Sequence, residues 1–290
     1  MMIKIILFFL LPFYLDCVEP QQNEENLAQS IVFQAKDKEI LAQVFVIFKD
    51  DKNTPVSDLM VKVGSFFKGT PYVAATLEIN PNEEKLVINL REMDCTTFAE
   101  NVLAISRTIK NGNPTFEKFA NELQNIRYRD GKIDGYTSRI HYFSDWIFEN
   151  DRSKTVKSVS KEIGGAIYPK PINFMSNHPG SYLQLKNNPE LIQKIAKQEK
   201  DISERKTYFI LEEKIKEVES KLMDGDIVGI TSRVEGLDIS HVGILVRKSG
   251  RIHLMHASSV ANKVIVSEET LEEYLLNGKS VTGIMVARPQ

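Results

Sequence analysis

REMDCTTFAENVLAIS, residues 91–106, sets a cysteine against the start of an amphipathic run. Phe98, Val102, Leu103 and Ile105 recur at helical spacing. Asp94, Thr96 and Thr97 are residue types that favour helix starts, and Glu100 falls in the opening turn. The pattern predicts Cys95 at, or within one residue of, a helix N-terminus. Unpaired N–H groups and the positive end of the helix dipole favour thiolate over thiol there. The same N–H groups can hold the oxyanion that forms when a thiolate attacks a carbonyl. A capped helix that merely buries a small cysteine has the same appearance, so this segment alone leaves nucleophile and packing residue both open. Just upstream, EEKLVINL (83–90) reads as a short strand or loop.

Outward from this segment, the chain begins MMIKIILFFLLPFYLDC: one lysine, then an apolar run from Ile5 to Leu15 broken by Pro12. That is the layout of a secretory signal over residues 1–17, too short for the ~20 apolar residues of a bilayer span. Export to a periplasmic or extracellular compartment is expected. Cys17 is a candidate lipid anchor, but Tyr14, Leu15 and Asp16 fit a lipoprotein signal poorly, which favours an unlipidated form. Cleavage at or after Cys17 leaves Cys95 as the one cysteine of residues 18–290. Oxidising compartments favour paired cysteines or none, so a solitary one calls for a reason.

With 290 residues, 42% hydrophobic and 26% charged, the chain can bury a substantial core. Its formal net charge is only -2 and its basic residues are interspersed with acidic ones, which argues against nucleic acid as a partner.

A cysteine nucleophile needs a base, and the chain has five histidines. His241 stands in GLDISHVGILVRKSG, at the start of a β-branched strand that ends in a Ser-Gly turn; RIHLMHASS then resumes as its hairpin partner. On that second strand Ile252, Leu254 and His256 point one way, His253 and Met255 the other. His256, nearer the rim, is the better placed to orient His241. A zinc site from His241, His253 and His256 is disfavoured, because the pleat sends His253 and His256 to opposite faces. No metal or other cofactor is expected.

GTPYV (69–73), DCTTF (94–98), MDGDIVGIT (223–231), SHVGILV (240–246) and LMHASS (254–259), in this order, resemble the NlpC-type papain-like peptidoglycan hydrolases. NIRYRDGKIDGYTSRIHYFSDW (125–146), INFMSNHP (172–179), GLDISH (236–241) and TGIMVARP (282–289) resemble, more narrowly, the N-acetylmuramoyl-L-alanine amidase-like family within that group. The resemblance implies an α+β papain-like fold: an antiparallel sheet, a nucleophile-bearing helix and a helical insertion. It implies Cys95 as nucleophile, His241 as base and acid, and His256 as the residue holding the His241 tautomer. Tyr72, with Asp94 as local support, would help the Cys95 N–H bind the oxyanion. Asp238 and Ser240 would line the site and meet the substrate's peptide. The implied reaction cleaves the amide between N-acetylmuramic acid, the 1,6-anhydro form among its candidates, and L-alanine. Cleavage of the γ-D-glutamyl–diamino acid bond, acyl transfer to an amine, or muropeptide binding without turnover are the alternatives.

One catalytic domain is expected over 18–290, with an N-terminal helical layer (18–68) and an insertion at about 110–222 that chooses the substrate. In the insertion, PTFEKFANELQNIRY reads as a helix, and YRDGKIDGYTSRIHYFSDW as a binding loop rich in Tyr, Arg, His and Trp. Arg129, Asp130, Tyr136, Ser138, Arg139 and Trp146 are its candidate substrate contacts, against the plainer reading of a loop pinned by aromatic packing and Arg–Asp pairs. ELIQKIAKQEKDISERK and LEEKIKEVESKL read as charged amphipathic helices. A monomer is expected.

Overall fold

The computed structural model describes residues 31–290. The signal-like segment 1–17 and Cys17 lie outside the described residues. Strand β1 (Ile31–Val32) pairs in parallel with β2 (Leu86–Val87). Between them run α1 (Ala35–Ile47) and α2 (Val56–Phe66), which bury Leu41, Val44, Leu59, Met60 and Val63. Within the described residues 31–68 the chain is helical except for β1 and the turns, and the two residues of β1 are too short a run to read as strand. Asp37 of α1 is fully buried: its carboxylate accepts the Gln34 N–H at 2.7 Å, the Leu90 N–H at 2.8 Å and Arg91 Nε–H at 3.1 Å. This fastens the segment leading to Cys95 against α1.

Next come α3 (Cys95–Asn111), α4 (Phe116–Arg127), α5 (Phe143–Arg152), β3 (Val156–Ser158), β4 (Ala166–Ile167) and α6 (Pro189–Ser203). The C-terminal part holds β5 (Tyr208–Leu211), β6 (Ile227–Ser232), β7 (Ile239–Lys248), β8 (Arg251–Ser258), β9 (Lys263–Thr270), α7 (Leu271–Leu276) and β10 (Val281–Pro289). The main sheet runs β4-β5-β10-β6-β7-β8-β9, with β3 also on β10, and its pairings are antiparallel. The molecule is thus a mixed α/β structure built on an antiparallel sheet.

β6, β7, β8 and β10 are the four strands expected. The insertion is not purely helical, since it also supplies β3, β4 and β5. LEEKIKEVESKL forms no amphipathic helix but short helical turns around Ile215–Val218. Leu211 is already committed to β5, and Glu219 is drawn out by Arg251 Nε at 3.0 Å and the Ile252 N–H at 2.8 Å.

The β7–β8 hairpin turns on Ser249 (φ 52°) and Gly250 (φ 82°). Positive φ at both central residues is the type I′ geometry whose twist suits antiparallel strands. Strand alternation then divides the core. Ile252 and Leu254 join Val228, Ile230, Leu245 and Leu271 on one sheet face, while Met255 and Ala257 join Ile227, Val242, Ile244 and α3 on the other. Each such aliphatic side chain contributes about 1.5–3 kcal/mol by burial. On the α3 side, Glu100 and Arg127 form a buried ion pair at 2.7 Å, and Arg127 Nη1 also donates to the Val87 carbonyl at 2.7 Å.

Candidate active site

Cys95 is the first residue of α3, and Asp94 is its N-cap. One Asp94 oxygen accepts the Thr97 N–H and hydroxyl, both at 2.8 Å, while the Asp94 N–H donates to Thr97 Oγ1 at 2.9 Å. This box closes the first turn and leaves the Cys95 N–H outside every hydrogen bond of the described residues. Ahead of it, the Met93 N–H donates to the Pro71 carbonyl (3.0 Å), the Val73 N–H to the Met93 carbonyl (3.2 Å) and the Tyr72 N–H to the Asn262 carbonyl (3.0 Å). These bonds seat the half-buried Tyr72 beside the helix start. Its phenol titrates above the ordinary range, through burial first and then the charges of Cys95 and Asp94.

Pairing between β7 and β8 runs from Lys248↔Arg251 to Ile244↔Met255 and stops there. Past that point Val242 offers its main chain to the Cys95 thiol, and two imidazoles meet. His241 Nε2 lies 2.6 Å from His256 Nδ1, with the rings perpendicular and 4.8 Å apart. Both rings are held neutral. Burial pulls His241 down to about 4, and burial followed by the His241 charge pulls His256 down to about 3. His253 faces away, its Nδ1 at 3.1 Å from the Ser267 carbonyl, as the strand alternation required.

Burial, and then the Asp94 charge, lift the Cys95 thiol to about 11, outweighing its contacts to Val242 and Thr96. The resting thiolate expected from the helix start is therefore corrected to a thiol. The carboxylate that caps α3 also sets negative charge on the positive end of its dipole.

Tyr274 of α7 was not anticipated. It stands edge-on to His256 at 5.6 Å, and its phenol is raised by burial, Glu269 and Cys95. In LEEYLL nothing distinguishes it from an ordinary packed aromatic.

Ser240, next to His241, is exposed at a bulge, where β6–β7 pairing passes from Ile230↔His241 to Thr231↔Ile239. Asp238 is not exposed, at 1%. Its two oxygens accept the Ser144 and Ile239 N–H groups, each at 2.8 Å. Tyr142, at the N-cap of α5, gives no side-chain cap, so Asp238 caps that helix from across the fold.

The insertion candidates are likewise engaged internally. Arg129 pairs with Asp145 and with Glu149, and Arg205 also reaches Asp145 at 2.5 Å. Asp130, at φ 52°, pairs with Arg152 on the surface. Arg139 is buried against Glu78 (2.6 Å) and Glu84 (3.3 Å) and lies over the Tyr136 ring. Ser138 Oγ donates to the Gly135 carbonyl at 2.7 Å and accepts the Asp134 N–H at 3.0 Å. Tyr136 packs on His141, and Trp146 stacks on Phe143 with 7° between the planes. The loop is pinned by Arg–carboxylate pairs and aromatic packing, and Trp146 presents no ring face for a sugar to cover. A cavity of about 40 Å³ nevertheless lies between this loop and α3, lined in part by Thr96, Ala99, His141, Trp146 and Val242.

A family model described as N-acetylmuramoyl-L-alanine amidase-like matches residues 62–284. A solved N-acetylmuramoyl-L-alanine amidase from Bacteroides uniformis is 40% identical, the match covering 81% of this chain and 99% of that one at a TM-score of 0.77. A Bacteroides fragilis protein, provisionally described as a xylanase, is 41% identical over 78% of this chain and 99% of that one, with a TM-score of 0.75. A Legionella pneumophila protein of the family DUF1460 shares the fold at 19% identity and a TM-score of 0.65, over 87% of this chain and 95% of that one. No curated protein matches the chain.

Proposed function

The chain belongs to the N-acetylmuramoyl-L-alanine amidase-like family, and from that premise we propose a cysteine-dependent amidase of the NlpC-type, papain-like kind. Its substrate is peptidoglycan or fragments shed from it, the 1,6-anhydro form included. The bond cut joins the lactyl carbonyl of N-acetylmuramic acid to L-alanine. The observation that supports this is the 2.6 Å imidazole pair of His241 and His256, with the main chain of Val242, the residue after His241, in contact with the Cys95 thiol.

That contact decides the proton inventory. With His241 as base, its Nδ1 is bare and its Nε2 carries hydrogen, which His256 Nδ1 accepts. His256 then carries its own proton on Nε2 and steadies the imidazolium when it forms, the part a carboxylate or amide plays in other triads. With the thiol near 11 and His241 near 4, the pair rests neutral. The proton therefore passes from Sγ to His241 as the sulfur–carbon bond forms. The Cys95 N–H and the Tyr72 hydroxyl receive the oxyanion. Collapse breaks the C–N bond, His241 returns its proton to the alanine amine, and water activated by the same ring releases the muramoyl acid. Nothing in this scheme needs the carboxylate pair of a glycosidase. The N-terminal apolar segment supports export, which would bring the enzyme to cell-wall material.

Purified protein and its Cys95→Ala variant, incubated with defined muropeptides, are read by product mass. Wild type should release N-acetylmuramic acid and intact stem peptide, and the variant neither. Cleavage confined to the stem peptide would move the reading to the γ-D-glutamyl–diamino acid bond. Equal activity in the variant would remove Cys95 as nucleophile.

A further inference from the structure

Between β6 and β7 the chain turns through RVEGLD, residues 233–238, and carbonyls of this turn converge on one lysine. Lys170 Nζ donates to the Ser232 carbonyl at 2.7 Å, to the Leu237 carbonyl at 2.9 Å and to the Val234 carbonyl. An ammonium has three donors and no acceptor, so all three are spent on the main chain of a single turn and none on a carboxylate. Burial draws Lys170 below the ordinary lysine range, while the Asp238 and Glu235 charges pull the other way. Three carbonyl oxygens gathered around one point repel one another unless a cation sits among them. The neighbours of Lys170 grip the same turn. The Tyr168 hydroxyl donates to the Asp238 carbonyl at 3.1 Å, and the Asn173 and Phe174 N–H groups both donate to the Gly236 carbonyl at 3.1 Å. Gly236 has φ 74°, and a Cβ there would strike Asn173 Oδ1.

The turn leads straight into His241. The Ser232 N–H closes it on the Asp238 carbonyl at 3.0 Å, and two residues later comes the bulge at Ser240. That bulge sets the register: Thr231 pairs with Ile239 and Ile230 with His241, leaving Ser240 as the extra residue. Were the extra residue to slip from 240 to 241, His241 would lose its partner Ile230 and its ring would part from His256. We propose that Lys170 is a positioning residue for His241, a tethered cation that sets the β6–β7 turn and, through it, the bulge that aims the imidazole. The assignment rests on the reading of His241 as base and extends it to a side chain outside the site. What the turn recognises is an alkylammonium ion, so a free one should stand in for the missing side chain.

The test uses Lys170→Met, which keeps the stem and removes the charge, and Lys170→Ala, which empties the carbonyl cage and leaves room for propylammonium, the atoms removed. On a muramoyl-peptide both variants should lose about 10²-fold in kcat/KM, carried by kcat more than KM. In Lys170→Ala about tenfold of this should return, saturably, with propylammonium, less with methylammonium, and none with tetramethylammonium, which has the charge but no N–H. The imidazole NMR signals of His241 and His256, identified with His241→Gln, should move in Lys170→Met and return toward wild type when Lys170→Ala takes up propylammonium. If Lys170→Met does not fold, Lys170→Ala purified in propylammonium and then dialysed gives the same comparison. Unchanged kcat or unmoved imidazole signals, even with a lowered urea midpoint, overturn the proposal. So does a loss that propylammonium fails to repair, or that tetramethylammonium repairs equally well. The signals also separate this proposal from the amidase reading. Signals that respond as stated, with no cleavage of the muramoyl–alanine bond by wild type, keep the role of Lys170 and sink the amidase. Cleavage by wild type with imidazole signals indifferent to Lys170 does the reverse.

Discussion

At Cys95 two local effects oppose each other. A helix terminus lowers a thiol's pKa, while burial and an adjacent carboxylate raise it, and here the second pair prevails. Asp94→Asn removes the charge but keeps a good N-cap. Alkylation of Cys95 at pH 7–8 should therefore quicken several-fold in that variant; an unchanged rate would show that the carboxylate does not set the thiol's pKa. His256 makes a second residue-level prediction. His256→Ala should cost on the order of 10²-fold in kcat/KM, and His256→Asn, whose oxygen can still accept from His241, only a few-fold. Since His241 stays neutral to about 4, the acid limb of kcat/KM should fall near that pH and not near 6.5. The places of Cys95 at a helix start, His241 at a strand start and His256 on the next strand were legible because helix caps, strand starts and strand parity are local signals, whereas their proposed roles come from the family resemblance. The thiol's protonation state was not, since it depends on how deeply the folded chain buries the sulfur.

Among the elements, α5 depends on a cap borrowed from far along the chain. Asp238 accepts from Ser144, 94 residues away, and from its own neighbour Ile239. Asp238→Ala leaves two buried N–H groups unmet and should cost about 2–4 kcal/mol, read as a lower denaturation midpoint, with Asp238→Asn losing about half as much. No loss of stability in the alanine variant would return Asp238 to the list of substrate contacts. The family resemblance implied a site role for Asp238, just ahead of His241, and nothing in that position reveals a cap in trans. Arg139 misled for the same reason, its partners Glu78 and Glu84 lying more than fifty residues upstream. Helices α3 and α4 and the strands around the hairpin were legible from periodicity. β3, β4 and β5 were not, being runs of two to four residues that become strands only because β10 and its neighbours offer them an edge.

For the molecule as a whole, His141, His241 and His256 stay neutral down to about 3, 4 and 3, whereas the unfolded chain takes up protons near 6.5. Between pH 6.5 and 4 the unfolded state thus holds more protons at these three positions, and their contribution to stability shrinks as pH falls. The partly buried Glu84 and the buried Glu100 and Asp238, all raised chiefly by burial, act in the opposite sense. The histidine share is isolated by difference. Urea midpoints of His141→Gln, measured from pH 7 to pH 4.5, should fall less steeply than those of wild type, by about one proton's worth of slope. Parallel curves would mean that His141 is not held neutral.

The hairpin joining β7 and β8 is also a ruler for evolution. Its two-residue turn fixes which residues of one strand share a face with which of the other, so the meeting of His241 with His256 depends on the parity of the chain between them. One residue gained or lost inside β8 would exchange faces along the strand, sending Met255 or Ala257 toward His241 and the imidazole toward the core under α3. Descendants of this sequence should vary freely in the exposed loops, yet keep an even number of residues between these two histidines, as the stretch 242–255 does here.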